Sequence, residues 1–140
     1  STANKIYAPL EGKRSVSSLT LTTDDGSAGI HGQISEAIPR LIREYQTEVI
    51  YSCGPMGMLS AIAKIAEEFD ISHQCSVEEA MACGIGVCMT CVLPVIGDDG
   101  VTRMSRSCVD GPVFRGDRVR WDDVHTVPSD AFGAPRPGGH

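Results

Sequence analysis

The sequence lacks any long hydrophobic run, has few aromatic residues and carries no excess of positive charge. No apolar stretch approaches the roughly eighteen residues that a membrane-spanning helix needs. The 140 residues include only three Phe, three Tyr and one Trp, and the formal net charge is −6. A negatively charged chain with so few aromatic side chains does not offer the basic, base-stacking surface that nucleic acids require. We therefore expect neither a membrane nor a nucleic acid as a partner.

A secretion signal is also missing, since no basic segment followed by an apolar one stands at the N-terminus. The sequence therefore predicts a cytoplasmic location. The six cysteines are expected to stay reduced in that compartment. Metal binding or redox chemistry is a better expectation for them than disulfide bonds.

Strand and helix patterns alternate in the first half of the chain. Residues 19–23 predict a strand that ends at the turn-forming D-D-G-S, and the apolar spacing of 34–45 predicts a helix. Pro39 fits that helix only in its first turn, where a missing N–H costs nothing. Residues 47–52 then predict a buried strand, and 58–69 predict a second helix. This alternation predicts the α/β class, with a parallel sheet whose ligands bind at the carboxyl ends of the strands.

The nucleotide-binding pattern is incomplete, because two strands and two helices are too few for a doubly wound domain and no G-x-G-x-x-G loop occurs. The second half changes character and predicts short strands at 73–79, 91–96, 101–107 and 117–121, with D-D-G as a hairpin turn. The Pro/Gly-rich segment 128–140 predicts a disordered tail.

Four of the cysteines follow the spacing Cys83-x4-Cys88-x2-Cys91-x16-Cys108. A C-x4-C-x2-C triplet with one remote cysteine is the plant-type ferredoxin arrangement for a [2Fe–2S] cluster. Zinc more often takes two separated pairs of ligands. The spacing therefore favours the cluster, while zinc and inert or disulfide-bonded thiols remain as alternatives.

Other residues near this motif refine the prediction. Gly84 and Gly86 permit the positive φ angles with which a loop can curl and point its N–H groups at sulfur. Cys75 lies outside the spacing and is expected to be a small buried apolar residue. Three arginines near Cys108 could offset the charge of a reduced cluster, or could be solvated strand residues: Arg103, Arg106 and Arg115.

Two stretches of the first half resemble the ferredoxin–NADP reductase superfamily: Y-S-C-G-P-M-G-M-L resembles its Cys-Gly-Pro motif, and T-D-D-G-S-A-G-I-H-G resembles a segment of its nucleotide domain. Together with M-A-C-G-I-G-V-C-M-T-C and S-C-V-D-G-P-V-F, the sequence over residues 19–124 resembles the electron-transfer subunit of class 1B dihydroorotate dehydrogenase.

The resemblance implies three sets of site residues. The cluster ligands are Cys83, Cys88, Cys91 and Cys108; the nicotinamide-side motif is Cys53, Gly54, Pro55 and Met56; and a nucleotide-domain loop is formed by Asp24, Asp25 and Gly26. It also implies the domains, which are part of an NAD-binding domain over 1–72 and a small β-rich [2Fe–2S] domain over 73–127.

The resemblance further implies a subunit with FAD and a [2Fe–2S] cluster, paired in a heterotetramer with an FMN-containing catalytic subunit. Electrons from dihydroorotate would pass from FMN through the cluster to FAD and NAD⁺ in pyrimidine biosynthesis. The FAD-binding barrel is absent from these residues, so we expect the chain to be non-catalytic alone and to need a separate FAD-domain segment.

Two other interpretations stay open. A small subunit of an NADH-dependent ferredoxin:NADP⁺ oxidoreductase or of a sulfide dehydrogenase has a similar cysteine loop. A protein of another class, a zinc-stabilised interaction module without a redox role, would use the same thiolates.

Overall fold

The computed structural model describes residues 1–135 and divides the chain into two compact units, Ser1–Gln46 and a second that begins at Thr47. The first unit contains two helices and two short strands: α1 (Pro9–Ser15), β1 (Thr22–Thr23), β2 (Ile30–His31) and α2 (Ile34–Tyr45). The strands β1 and β2 pair in parallel.

Helix α2 has the bounds that the apolar spacing predicts, and Ala37, Ile38 and Ile42 are buried along one of its faces. The prediction for Pro39 is wrong, because this residue lies inside the helix and more than one turn beyond Ile34. A proline here removes one intrahelical hydrogen bond. Burial of the neighbouring side chains of Ala37, Ile38 and Ile42 offsets the loss of that hydrogen bond.

Up to residue 135, the second unit contains one α-helix and five strands: β3 (Val49–Cys53), α3 (Met56–Glu68), β4 (Ser72–Ser76), β5 (Val92–Ile96), β6 (Thr102–Arg106) and β7 (Val113–Arg115). One sheet has the order β3-β4-β7, in which β3 and β4 are parallel and β7 is antiparallel to β4. The strands β5 and β6 form an antiparallel hairpin. The α/β class is thus confirmed.

The core of the second unit joins elements from both halves of the sequence. Its buried members are Leu59, Cys75, Val77, Leu93, Phe114 and Val119. The predicted domain boundary after residue 72 falls at the start of β4, which pairs with β3 before it and with β7 after it. The compact unit therefore extends across that boundary.

Strand prediction fails between residues 113 and 121. The sequence predicts a strand at 117–121, but only an isolated bridge from Val119 to Val95 forms there, followed by a 3-10 turn at Trp121–Asp123. Strand β7 was not predicted. Its three residues are too few for a periodic signal, and its partner β4 is distant in sequence.

Residues 128–135 differ from the disorder that their composition predicts. The amide of Phe132 donates to the carbonyl oxygen of Thr102 at 2.8 Å, and Ala131 is buried. Arg120 pairs with the carboxylate of Asp130 at 2.7 Å. Residues 136–140 of the predicted tail lie outside the described residues. Within residues 1–135 we find no helix with the length and apolar character that crossing a membrane demands.

Candidate metal centre

The four predicted ligands lie on one irregular loop and one tight turn of the second unit. Residues 77–91 form neither helix nor strand and carry Cys83, Cys88 and Cys91. Cys91 stands directly before β5, and Cys108 stands just after β6. Because β5 and β6 pair along their whole length, the hairpin brings these last two cysteines to the same end.

Backbone hydrogen bonds close the turn that carries Cys108. The amide of Ser107 donates to the carbonyl oxygen of Cys91 at 3.0 Å. The carbonyl oxygen of Arg106 accepts from the amide of Asp110 at 2.8 Å, and the amide of Arg106 donates to the Asp110 carboxylate at 2.8 Å. The turn is therefore fixed at both ends independently of its sulfur atom.

Several donor groups point toward the sulfur of Cys83. The amides of Cys88 and Ile85, the thiol of Cys88 and the amide of Val87 all donate toward it, and they lower the pKa of Cys83 to about 6. Hydrogen bonds to an anion favour the anion. The loop is therefore built to hold a thiolate, which is the form of cysteine that binds metals.

Cys91 and Cys108 form a second close pair. The backbone amide of Cys108, followed by its thiol, donates to Cys91 and lowers the pKa of Cys91. As the donor in that pair, Cys108 has a raised pKa, which the amide of Gly86 and the nearby charge of Cys83 also affect, in opposite directions. The four thiols are therefore arranged as two neighbouring pairs, Cys83 with Cys88 and Cys91 with Cys108.

A site for one metal ion would need at least three ligand side chains that converge on a single point. Among residues 1–135, no three side chains of the His, Cys, Asp and Glu types converge closely enough to hold one metal ion. The six cysteines, all of them in the described part of the chain, are free of disulfide bonds.

Glycines give the loop its curl. Gly84 has φ +67° and Gly86 has φ +81°, both in the left-handed region that other residues rarely adopt. A Cβ atom on Gly86 would lie 2.7 Å from Cγ2 of Val109, which is too close. Met89 also has a positive φ, +57°, which no sequence pattern predicted. Such backbone strain clusters at functional sites.

The loop and the turn that carry the thiols also carry exposed apolar side chains. We call four loop residues and one residue of the turn the apolar rim: Met81, Ile85, Val87, Met89 and Val109. A group of exposed apolar side chains commonly marks a surface that a partner covers. These residues show no periodicity, so the rim was not predicted from the sequence.

The Cys-Gly-Pro motif ends a parallel strand. Cys53 is the last residue of β3 and is exposed, and Gly54 has φ +144°. The carbonyl oxygen of Pro55 accepts from the amide of Met58 at 2.9 Å, and Met56 begins α3. The motif therefore lies at a carboxyl strand end followed by a helix, which is where open α/β sheets bind ligands.

The predicted nucleotide loop lies in the first unit, after β1. The Asp25 carboxylate accepts from the Ser27 hydroxyl at 2.6 Å, and this hydrogen bond is the main cause of the lowered pKa of Asp25. Asp24 pairs with the N-terminal amine, and Gly26 has φ +70°. These contacts account for a tight turn.

Cys75 is fully buried, as predicted, and burial raises the pKa of its thiol to about 11. Its Sγ atom donates to the carbonyl oxygen of Phe114 at 3.3 Å. This thiol belongs to the core and is set apart from the four loop cysteines by its burial.

The four thiols, carried by one loop and one turn of the second unit, are the donor set typical of an iron–sulfur cluster binding domain. Residues 78–120 match the family model of the iron-sulfur cluster binding domain of dihydroorotate dehydrogenase B. The segment therefore belongs to that domain family, and the resemblance identified from the sequence is confirmed.

Curated relatives extend the match beyond this segment. The chain is 39% identical over 106 residues to a probable dihydroorotate dehydrogenase B (NAD(+)) electron transfer subunit of Methanocaldococcus jannaschii, covering 76% of this chain and 38% of the relative. It is 36% identical over 126 residues to the corresponding subunit of Caldanaerobacter subterraneus, covering 84% of this chain and 50% of the relative. The chain thus spans half or less of the length of these two relatives.

A solved structure is also similar. It is an NADH-dependent reduced ferredoxin–NADP oxidoreductase described for flavin-based electron bifurcation, with a TM-score of 0.68 and 34% identity. The match covers 82% of this chain and 40% of that one. The fold of this chain is therefore similar to part of that oxidoreductase.

Proposed function

We propose that this chain is the cluster-bearing part of the electron transfer subunit of an NAD-dependent dihydroorotate dehydrogenase, acting in pyrimidine biosynthesis. In this proposal Cys83, Cys88, Cys91 and Cys108 bind a [2Fe–2S] cluster. The observation that carries the proposal is the arrangement of these thiols as two neighbouring pairs, one of which receives several backbone N–H groups.

The two pairs fit a two-iron group because each iron of such a cluster takes two thiolates. A structural zinc site instead gathers four ligands around one ion. Positive φ at Gly84 and Gly86 lets the loop approach closely, and a Cβ on Gly86 would obstruct it. The donor set and the space around it are thus suited to the cluster.

When bound, the cluster would supply one-electron transfer. In this proposal the chain's own residues stabilise a thiolate, hold two cysteines together and contact a partner. The amides of Ile85, Val87 and Cys88 stabilise the thiolate of Cys83. The β5–β6 hairpin holds Cys91 and Cys108 together.

The last of these roles is the contact with a partner. We assign the apolar rim to the contact with an FMN-containing catalytic subunit in a heterotetramer, because short electron-transfer distances require that a partner cover this side. FAD would come from a separate domain segment. NAD would contact the Cys-Gly-Pro motif, which is formed by Cys53, Gly54, Pro55 and Met56. The nucleotide-domain loop would be formed by Asp24, Asp25 and Gly26. The proposal includes a cytoplasmic location, in keeping with six free thiols.

Coexpression with the FMN-containing subunit and the flavin-domain segment tests this function. Anaerobic addition of dihydroorotate to the purified complex should bleach the cluster absorbance, and NAD⁺ should restore it. A complex with an intact cluster that dihydroorotate does not reduce would contradict the proposed substrate.

The second candidate is a subunit of an NADH-dependent ferredoxin:NADP⁺ oxidoreductase, which the similarity to a solved structure of that activity favours. A sulfide dehydrogenase subunit is the related variant. The same bleaching experiment separates these candidates, because reduction by NADPH or sulfide but not by dihydroorotate would support them. A zinc-stabilised interaction module would show no chromophore to bleach.

A further inference from the structure

The structure separates the three arginines near Cys108 that the sequence could not rank. Arg103 pairs with Asp99 at 2.6 Å and lies over the ring of Phe132, 5.9 Å from its centroid. Arg115 pairs with Asp117 at 2.7 Å. Neither of these interactions involves the loop of the predicted cluster. Arg106, by contrast, contacts that loop at Gly86.

Arg106 connects the loop to the turn. Its Nη1 atom donates to the carbonyl oxygen of Gly86 at 3.3 Å, and its Nε atom donates to the Asp110 carboxylate at 3.3 Å. Gly86 also lies against the turn, since a Cβ atom on it would be 2.7 Å from Cγ2 of Val109, the residue after Cys108. One guanidinium group thus links the loop at Gly86 to the turn that carries Cys108.

Arg106 is also near a candidate ligand in the chain: it is the last residue of β6, two positions before Cys108. The side chains of Arg106 and Asp110 are 37% and 39% exposed, so water screens the guanidinium group only in part.

We propose that Arg106 is a positioning residue that fixes Gly86 against the Cys108 turn and supplies the positive charge that favours the reduced state of the cluster. This inference rests on the proposed function. A [2Fe–2S] cluster with four thiolates carries a charge of −2 when oxidised and −3 when reduced. A cation beside it lowers the free energy of the reduced form more than that of the oxidised form.

Removal of the cation should therefore lower the midpoint potential. In Arg106→Gln the Asp110 carboxylate also loses its partner, which adds to the shift. We expect the equilibrium between reduced and oxidised cluster to move about tenfold toward the oxidised form, or about 59 mV for one electron. The measurement is a redox titration of the assembled complex followed by EPR of the reduced cluster.

Arg106→Lys separates charge from geometry. The ammonium group keeps the charge but lacks the planar fork that bonds Gly86 and Asp110 together. We expect a nearly unchanged potential and faster loss of iron to a chelator. Arg103→Gln is the matched control, since Arg103 is also on β6 and also pairs with a carboxylate four residues away. It should change neither quantity.

If Arg106→Gln retains no cluster, Asp110→Asn provides the test instead. It leaves the guanidinium charge without its carboxylate, so the midpoint potential should rise. A wild-type potential in Arg106→Gln, or in Asp110→Asn if the first variant holds no cluster, would overturn the proposal. A wild-type protein without iron and sulfide would instead overturn the proposed function itself.

Discussion

The amide of Ser107 donates to the carbonyl oxygen of Cys91 at 3.0 Å, and Ser107 is 2% exposed. This buried bond joins the residue before Cys108 to Cys91 itself. The backbone of a β-hairpin, rather than a metal, therefore fixes the spacing of these two thiols. The first pair, Cys83 and Cys88, depends on an irregular loop, so the two pairs should respond differently to mutation.

Cys88→Ser should lose the bound iron and destabilise residues 75–120, because metal binding contributes to the folding free energy of a loop without regular structure. Iron analysis and hydrogen exchange of the purified complex check both effects. Cys53→Ser is the control, since Cys53 is exposed and lies outside the four-thiol loop. Equal iron content in the two variants would contradict the ligand assignment.

Gly86→Ala should impair cluster incorporation. The left-handed conformation costs a residue with a Cβ about 1–2 kcal/mol, and this Cβ would also lie 2.7 Å from Cγ2 of Val109. Gly100→Ala is the matched control, because Gly100 has φ +76° but nothing within 4 Å of its Cβ position. Iron and sulfide content should fall in the first variant only. If both variants keep the wild-type content, close approach of the loop is not required.

His73 should make the second unit less stable in mild acid. It is 4% exposed, burial lowers its pKa, and its Nε2 atom lies 2.6 Å from Ser52 Oγ. Below a pH of about 6.5, the unfolded chain binds a proton that the folded chain resists, so stability falls as pH decreases. Nearby Asp117 opposes part of this shift.

Urea unfolding at pH 7.5 and 5.5 measures that effect. His73→Gln should show a smaller loss of stability between these two pH values than the wild type. His125→Gln, at an exposed position, serves as the control. An identical pH dependence in His73→Gln and wild type would show that another group is responsible.

Leu59→Ala should destabilise the second unit by about 2–5 kcal/mol, the usual range for a large cavity-forming substitution. Leu59 is fully buried, and its core cluster includes Leu93 of β5. Denaturant unfolding checks the value. Leu10→Ala, at a residue that is 67% exposed, should have little effect. A small change in both variants would mean that α3 does not support the strands that carry the thiols.

Local patterns predicted much of the fold. The spacing of apolar residues predicted α2 with its bounds. The apolar run before Cys-Gly-Pro predicted β3, and the segment after it predicted α3. The pairing of β4 with β7 could not be predicted, because it joins residues about forty positions apart and β7 has only three residues. The structure of residues 128–135 was also beyond prediction, since it depends on long-range contacts such as that of Phe132 with Thr102.

The candidate site was likewise predicted only where local sequence spacing determines it. Cysteine spacing indicated the four candidate ligands and separated them from Cys75, because ligand spacing is a local property. The role of each arginine was hidden, since Arg103 and Arg106 are three residues apart on one strand yet make unrelated contacts. Only the folded loop shows that Arg106 reaches Gly86.

The most direct test of the cluster assignment is the iron and acid-labile sulfide content of the anaerobically purified protein, followed by EPR after reduction. We expect two irons and two sulfides per chain and an S = ½ signal from the reduced protein. One tightly bound zinc ion per chain, with no labile sulfide and no such signal, would contradict it.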